Sequence, residues 1–170
     1  YYGVFDHLIL EAKDFFRFSG RSKRPPLDPV NALLSLLYTL LAHDCTAALE
    51  SVGLDPQVGF LHRERPGRPS LALDLMEPFR PLIADSAVLI AINNRMITPN
   101  DFIQVGPAVA LKPEGRKAFF RAYEQRMDTL ATHPLFDYRV SYRRMLEIQT
   151  RLLARYLTGE IPHYTAYVTR

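Results

Sequence analysis

A histidine, two carboxylates and several arginines lie close together in the middle of this 170-residue sequence. Residues 59–77 read GFLHRERPGRPSLALDLME, in which His62 belongs to a loop and Asp74 and Glu77 to a helical pattern. Carboxylates three residues apart share one face of a helix. Mg²⁺ and Mn²⁺ prefer carboxylate oxygens, and Mn²⁺ also accepts an imidazole nitrogen. The spacing therefore suits a metal that assists phosphodiester chemistry, with the loop arginines available to hold phosphates.

The same residues also fit a simpler structural interpretation. A loop histidine is commonly just hydrogen-bonded, and acids beside arginines commonly form solvated ion pairs worth about 0 to 1 kcal/mol each. Spacing alone leaves both interpretations open. Other site signatures are absent from the sequence, which has no GxGxxG, P-loop, HExxH or CxxC pattern. A nucleophile made of Cys45 with His43 or His62 is disfavoured, because a lone cysteine in an apolar helix usually serves packing.

Helical periodicity dominates the sequence, since apolar residues recur three and four positions apart, and we predict an all-α fold. A first helix is predicted from the opening to about Phe18. Its inward-facing residues are predicted to be Val4, Phe5, Leu8 and Phe15. Asp28 and Pro29 predict the start of a second and very apolar helix, because Asp caps free amides and Pro fits the first helical position. Gly53 predicts its end.

Further helices are predicted in the remainder of the chain. A helix begins at Ser70, and we expect it to kink or break near Pro78 and Pro81. Two more amphipathic helices are predicted at about 113–130 and 142–158 from their apolar stripes. Together these elements place the histidine of the loop directly before the helix that carries both carboxylates.

Composition indicates a globular protein, with 48% hydrophobic and 23% charged residues. The net charge of +3 and a pI near 9.1 permit a nucleic-acid partner without establishing one. One cysteine, Cys45, excludes an internal disulfide, and no exported leader is recognised, so we expect a cytoplasmic location. The apolar run 30–42 is too short for a membrane span of about 18 residues and predicts a buried helix. The opening Tyr1 suggests part of a longer protein.

Several cations are candidates for DNA contact. Arg65 and Arg68 have the better claim because they flank the candidate metal ligands. Arg21, Lys23 and Arg24 belong to a basic run next to phenylalanines, for which phosphate contact and a solvated linker are both open. A further row on the last predicted helix is better explained as a solvated face. Its members are Arg144, Arg151 and Arg155.

The sequence resembles the CRISPR-associated integrase of spacer acquisition, the first protein of the adaptation module, particularly from type I systems. The matching blocks are PPLDPVNALLS (25–35), ALESVGLDP (48–56), VGFLH (58–62), RPGRPSLALDLME (65–77) and FRP (79–81). Weaker similarity surrounds residues 115–117 and 133–134. The resemblance implies that residues 1–170 form the single helical catalytic domain of a two-domain protein whose N-terminal β domain is absent here.

The resemblance also implies a metal site for Mg²⁺ or Mn²⁺. The family binds its divalent metal through Glu, His and Asp or Glu, which places His62 and Glu77 as metal ligands and Asp74 as the neighbouring acid of the catalytic set. The first family glutamate lies in a Glu-Gly pair just before the stretch that resembles the opening of this chain. We therefore expect the chain alone to be impaired, and we expect neither Glu11 nor Glu50 to replace that ligand.

The implied function is insertion of spacer DNA into a CRISPR array, with DNA, a second copy of the chain and the small second protein of the adaptation module as partners, and no membrane. A nuclease activity would follow when water replaces the attacking hydroxyl. The alternative is a noncatalytic helical scaffold that binds DNA or protein and whose charged residues never converge.

Overall fold

A computed structural model describes residues 2–22, 24–134 and 136–168. The fold is mostly helical, with 53% helix and 8% strand, which confirms the predicted helical class. The α-helices are α1 (Pro29–Glu50), α2 (Ser70–Met76), α3 (Ser86–Asn93), α4 (Pro113–Met127) and α5 (Tyr142–Leu157). Two antiparallel hairpins, which the sequence did not predict, pair β1 (Phe102–Val105) with β2 (Ala108–Leu111), and β3 (Leu130–Thr132) with β4 (Arg139–Ser141).

The chain divides into two compact units. The first unit comprises the residues up to Thr39 together with Ile83–Arg126, and the second unit comprises Leu40–Leu82 together with the residues from Met127 onward. Helix α1 therefore contributes its first half to one unit and its second half to the other. His62, Asp74 and Glu77 all belong to the second unit. The single catalytic domain expected over residues 1–170 stays a prediction.

The first unit opens with a short 3₁₀ helix, Tyr2–Leu8, so the long helix predicted to Phe18 was wrong. The chain turns at Ala12, whose φ of 44° lies in the left-handed region that an α-helix excludes. Three residues predicted to face inward are exposed instead: Val4, Leu8 and Phe15. The buried residues of this segment are Phe5, Ile9, Phe16 and Phe18. The rings of Phe5 and Phe18 pack edge to face, with centroids 5.2 Å apart.

Helix α1 begins where the sequence predicted. Asp28 Oδ1 accepts a hydrogen bond of 2.8 Å from the amide of Asn31, which caps the helix. The side chain of Asn31 is fully buried, donates to the carbonyl of Gly20 and accepts from the amide of Ser22. Capping and this buried polar group fix the start of the helix.

By length and composition, α1 is apolar enough to cross a membrane, with a mean hydropathy of 1.4. The core helix of a soluble protein has the same properties. Seven apolar positions along α1 are fully buried in the fold: Val30, Leu33, Leu34, Leu37, Leu41, Cys45 and Leu49. This pattern is that of a core helix, as the sequence predicted for residues 30–42.

The second unit presents the candidate site on α2 and the segment around it. After α2, the helical path narrows to a 3₁₀ turn at Glu77–Phe79 and widens to a π-helix at Arg80–Asp85, so the break predicted near the two prolines is confirmed. Ser141 caps α5 by accepting a hydrogen bond from the amide of Arg144. Gly159, with φ of 77°, follows the end of α5.

Candidate functional site

The loop between α1 and α2 is held by one carboxylate, that of Asp74. Its Oδ2 accepts hydrogen bonds from the amides of Phe60 at 2.6 Å and Leu61 at 2.9 Å. Its Oδ1 accepts from the amide of His62 at 3.0 Å and lies 2.6 Å from Nδ1 of the His62 ring. Both oxygens of Asp74 are therefore occupied inside the protein. Asp74 positions the loop and the imidazole, and its oxygens are not left free for a ligand.

These hydrogen bonds determine the ionisation of Asp74 and the tautomer of His62. Burial raises the pKa of Asp74, but hydrogen bonds from the Leu61 amide, the His62 ring and the Phe60 and His62 amides outweigh it and hold that pKa below its usual value. An ionised carboxylate only accepts hydrogen bonds, so Nδ1 of His62 is the donor. In the neutral imidazole, Nε2 then carries the lone pair that can bind a metal or accept a proton.

Gly59 packs directly against the start of α2. A Cβ at this position would lie 2.6 Å from Cβ and 2.8 Å from the carbonyl carbon of Ser70, closer than side chains approach. The loop is also tied by a 2.8 Å hydrogen bond from the amide of Leu71 to the carbonyl of Pro56, and by one of 3.1 Å from Ser70 Oγ to the carbonyl of Arg63. The loop is therefore fixed to the start of α2 at Pro56, Gly59 and Arg63.

Glu77 follows Asp74 by one turn of the same helical path. Its amide donates to the carbonyl of Asp74, an i to i−3 bond of the 3₁₀ type, which places side chains three residues apart above one another. The side chain of Glu77 is 40% exposed and accepts hydrogen bonds of 2.8 and 3.0 Å from one nitrogen of Arg80. An ion pair this exposed contributes little stability, so little free energy opposes a ligand that displaces Arg80 from the carboxylate.

The donors at His62 and Glu77 are of the kinds that Mg²⁺ and Mn²⁺ accept, an imidazole nitrogen and a carboxylate. Within the described ranges, no three His, Cys, Asp or Glu side chains are grouped so as to hold a metal ion. The pair therefore fits such an ion in donor chemistry but supplies at most two of its protein ligands. Glu11, one acid considered as a substitute ligand, is paired instead with Arg95 at 2.9 Å.

The arginines of the loop differ in exposure. Arg65 is exposed and lines a shallow recess of about 340 Å³ with Asp55, Gln57 and Glu64 among its walls. Arg68 is half-buried. Their positions on the loop that carries His62 keep both as candidates for phosphate contact.

In the basic run before α1, Arg21 forms contacts within the first unit, unlike the exposed Arg24. Arg21 donates to Oδ1 of Asn31 at 2.7 Å and to Oγ of Ser35 at 2.9 Å, and its guanidinium lies 5.3 Å from the centre of the Tyr38 ring. Its guanidinium is thus engaged within the first unit, which leaves it less free for phosphate. Arg24 is exposed, and Lys23 lies outside the described residues.

The arginines of α5 are consistent with a solvated face. Arg144 forms an ion pair with Glu147, and Arg155 pairs with Glu160 at 3.0 Å. Arg151 is exposed on the same helix. Local acids neutralise two members of this row, as expected of charges that face water.

Sequence reasoning missed how the loop is held. The three successive amides that bind Asp74 belong to the backbone, and no residue type encodes them. Gly59 was the available signal, because a glycine beside an ordered loop histidine indicates close packing. Sequence reasoning also missed that Phe60 and Leu61 are 69% and 81% exposed beside His62.

Comparison with known proteins identifies the family. The sequence profile described as CRISPR associated protein Cas1 matches residues 1–125. The chain belongs to the Cas1 family. The resemblance seen in the sequence blocks is thereby confirmed, and the matched part corresponds to the C-terminal portion of Cas1.

Curated relatives are similar along nearly the whole chain. It is 57% identical over 155 residues to a CRISPR-associated exonuclease Cas4/endonuclease Cas1 fusion of Geobacter sulfurreducens, covering 91% of this chain and 28% of that protein. It is 49% identical to a CRISPR-associated endonuclease Cas1 of Chlorobaculum tepidum, covering 100% of this chain and 50% of that protein. The chain spans about half the length or less of these Cas1 relatives.

Solved structures share the fold. A casposase bound to an integration product superposes with a TM-score of 0.86 at 31% identity, over 95% of this chain and 45% of that one. A Cas1 protein from Thermotoga maritima gives a TM-score of 0.82 at 28% identity, over 99% and 50% of the two chains. A Cas6-RT-Cas1–Cas2 complex gives 0.79 at 27% identity, over 96% and 18%.

Proposed function

We propose that this Cas1-family chain is the helical catalytic part of a metal-dependent DNA endonuclease and integrase that inserts spacer DNA into a CRISPR array during antiviral defence. The observation that carries the proposal is the fixed imidazole of His62. Asp74 holds its Nδ1, so Nε2 is left to bind, and Glu77 lies one helical turn beyond Asp74.

Each residue of the site has a distinct role. His62 and Glu77 hold Mg²⁺ or Mn²⁺, and Asp74 keeps the imidazole in the correct tautomer and orientation. When bound, such an ion neutralises phosphate charge and lowers the pKa of an attacking hydroxyl or water. His62 and Glu77 are two of the protein ligands that such an ion takes, and a third protein ligand completes the set.

The DNA is held by its phosphates. Arg65 and Arg68 contact the backbone next to the reacting phosphodiester, and Arg24 and Lys23 are further candidates for phosphate contact. A 3′ hydroxyl of the spacer attacks a phosphodiester of the array, one new ester bond forms, and the displaced 3′ oxygen leaves. Attack by water in place of the hydroxyl gives strand cleavage.

The complete protein acts in an assembly. We assign it a second copy of itself and the small second protein of the adaptation module as partners. A structural relative described as a Cas1–Cas2 complex supports this assignment, and a casposase bound to an integration product supports DNA as the substrate. The free, buried thiol of Cys45 agrees with a reducing cytoplasm as the location.

One observation favours a second candidate function. Because the described residues contain no three-ligand group, a helical scaffold that binds DNA or protein without catalysis fits the same fold. In that case Glu77 and Arg80 form an ordinary ion pair, and His62 is a structural loop histidine.

A Mn²⁺ titration separates the two candidates. The protein is prepared with the sequence upstream of residue 1, as the parent and as His62→Ala, with the exposed His43→Ala as the matched control. We expect Mn²⁺-dependent DNA cleavage by the parent and by His43→Ala. His62→Ala should lose at least about 100-fold in metal affinity or activity, because outer-shell partners alone cost 10–100-fold. Equal Mn²⁺ binding and equal cleavage by all three proteins would reject the metal site and support the scaffold.

A further inference from the structure

Two large apolar side chains stand in solvent immediately before His62. Phe60 is 69% exposed and Leu61 is 81% exposed. Their backbone amides are bound to Asp74 at 2.6 and 2.9 Å, and Gly59 leaves no room for the loop to shift toward Ser70. The loop geometry therefore holds both side chains outward, and their exposure is a fixed property of the surface.

The surroundings of this pair are basic. Residues 59–69 contain three arginines and one acid, Glu64, and both Arg63 and Arg65 are exposed. Aromatic rings interleaved with cations are typical of surfaces that bind single-stranded nucleic acid, where bases stack and phosphates pair. The centre of a protein–protein interface is instead depleted in charge. The composition of the loop thus favours a nucleic acid over an apolar protein surface.

The position of the ring favours the end of a DNA strand. Phe60 lies two residues before His62, whose Nε2 faces the reacting phosphate in the proposed function. A strand end that enters this site carries an unpaired base, and an exposed ring with a free face can stack on it. Stacking is tolerant of sequence because every base has a π-face, which suits an enzyme that accepts varied spacers.

We propose that Phe60 stacks on the base of the nucleotide at the reacting strand end, with Leu61 as its apolar neighbour, and so positions that end for the chemistry at His62. This inference rests on the proposed function for its substrate. Phe60 takes no part in bond making and acts as a positioning residue.

Fluorescence of 2-aminopurine tests the contact. The base analogue is placed at the 3′ end of a short single-stranded overhang. Binding of the upstream-extended protein to this DNA is compared with its binding to a blunt duplex. The variants are Phe60→Leu and Phe60→Tyr, with Phe120→Leu as a control at another exposed phenylalanine. Thermal midpoints should match the parent, because substitutions at exposed positions change stability little.

The expected result is specific to the overhang. Phe60→Leu should bind overhang DNA about 5- to 150-fold more weakly and should lose the quenching of the analogue, while Phe60→Tyr and Phe120→Leu behave as the parent. The salt dependence should be unchanged in Phe60→Leu because no charge is lost, whereas Arg65→Ala should reduce it.

Three outcomes would overturn the proposal. These are equal quenching by the parent and Phe60→Leu, an equal loss of affinity for blunt and overhang DNA, or a changed oligomeric mass with unchanged DNA binding, which would make the apolar pair a protein contact. Failure of the proposed function is distinguishable, because His62→Ala should lose cleavage and keep quenching. Cleavage without quenching rejects stacking alone, and quenching without metal-dependent cleavage rejects the proposed chemistry alone.

Discussion

The imidazole of His62 owes its orientation to a carboxylate twelve residues further along the chain. Asp74 meets the ring and three amides with two oxygens, so a single side chain fixes both the loop backbone and the tautomer. Charge-assisted hydrogen bonds of this kind are stronger than neutral ones. A conservative substitution at Asp74 therefore tests both the order of the loop backbone and the orientation of the imidazole.

Asp74→Asn should destabilise the protein by about 1–3 kcal/mol at pH 7, because the amide group of Asn turns a donor toward backbone donors and leaves buried groups unpaired. The pKa of Asp74 is lower when folded than unfolded, so its contribution is complete above about pH 4 and is lost as pH falls through the folded-state pKa. Thermal unfolding of both proteins from pH 2 to 7 measures this. The two curves should converge at the acid end.

The matched control for this measurement is Glu64→Gln, which removes a carboxylate charge from an exposed position in the same loop. Its free energy of unfolding should stay within about 0.5 kcal/mol of the parent's at every pH. A constant difference between parent and Asp74→Asn down to pH 2 would show that the pKa of Asp74 is the same in the folded and the unfolded protein.

At this scale the sequence supplied the residue types but not their pairing. His62, Asp74 and Glu77 were selected because imidazole and carboxylates bind divalent metals and because 74 and 77 share a helix face. The hydrogen bond between His62 and Asp74 was not predicted, since it depends on the path of a loop with no periodicity. Backbone amides, which complete the shell around Asp74, leave no trace in residue identity.

At the scale of the elements, the loop between α1 and α2 packs closely against α2 at Gly59, where a Cβ would lie 2.6 Å from Cβ of Ser70. Gly59→Ala should destabilise the fold by roughly 1–3 kcal/mol, because its Cβ would overlap the backbone and Cβ of Ser70 and push the loop off α2. Chemical denaturation measures the change. We also expect weaker Mn²⁺ binding, since the imidazole moves with the loop.

Gly3→Ala is the control for the glycine substitution, because nothing lies within 4 Å of a Cβ at that position. It should unfold at the same denaturant concentration as the parent. If Gly59→Ala did so too, the close packing of the loop against Ser70 would be disproved.

Predictability of the elements followed the strength of their local signals. α1 was located by the Asp28 cap, and α4 and α5 by their apolar stripes, because each signal acts within a few residues. The opening segment was mistaken for a helix because Val4, Leu8 and Phe15 have helical spacing, although the left-handed turn at Ala12 interrupts the path and all three side chains are exposed. The hairpins were missed because strands of three or four residues are too short to alternate visibly.

For the molecule as a whole, a net charge of +3 is too small to attract DNA by itself, so the proposed DNA binding must depend on where cations are placed. The double substitution of Arg65 and Arg68 by Ala should lower the slope of log affinity against log salt by roughly 1 for each lost phosphate contact. Titrations of the upstream-extended protein with duplex DNA at several salt concentrations measure this slope. The exposed Arg121→Ala should leave it unchanged.

An unaltered slope in the double variant, with Arg121→Ala equally unaltered, would show that the DNA contact does not lie on this loop.

At the scale of the whole molecule, family membership was predictable because the matching blocks extend over nearly the whole chain and a shared fold preserves them. Assembly was not, since neither the charge nor the periodicity of one chain encodes the surface of a second.

Asp74 both holds the loop backbone and orients the His62 ring, which affects how inactive alleles are classified. Under the proposed function, a genetic screen for lost spacer acquisition should return substitutions at 74 together with those at 62 and 77, although the hydrogen bonds of the carboxylate described above all lie within its own polypeptide. Excess manganese in the growth medium would then separate two classes of allele. It should restore activity to substitutions at 74, which displace the imidazole, and should not restore activity to substitutions at 62, which remove it.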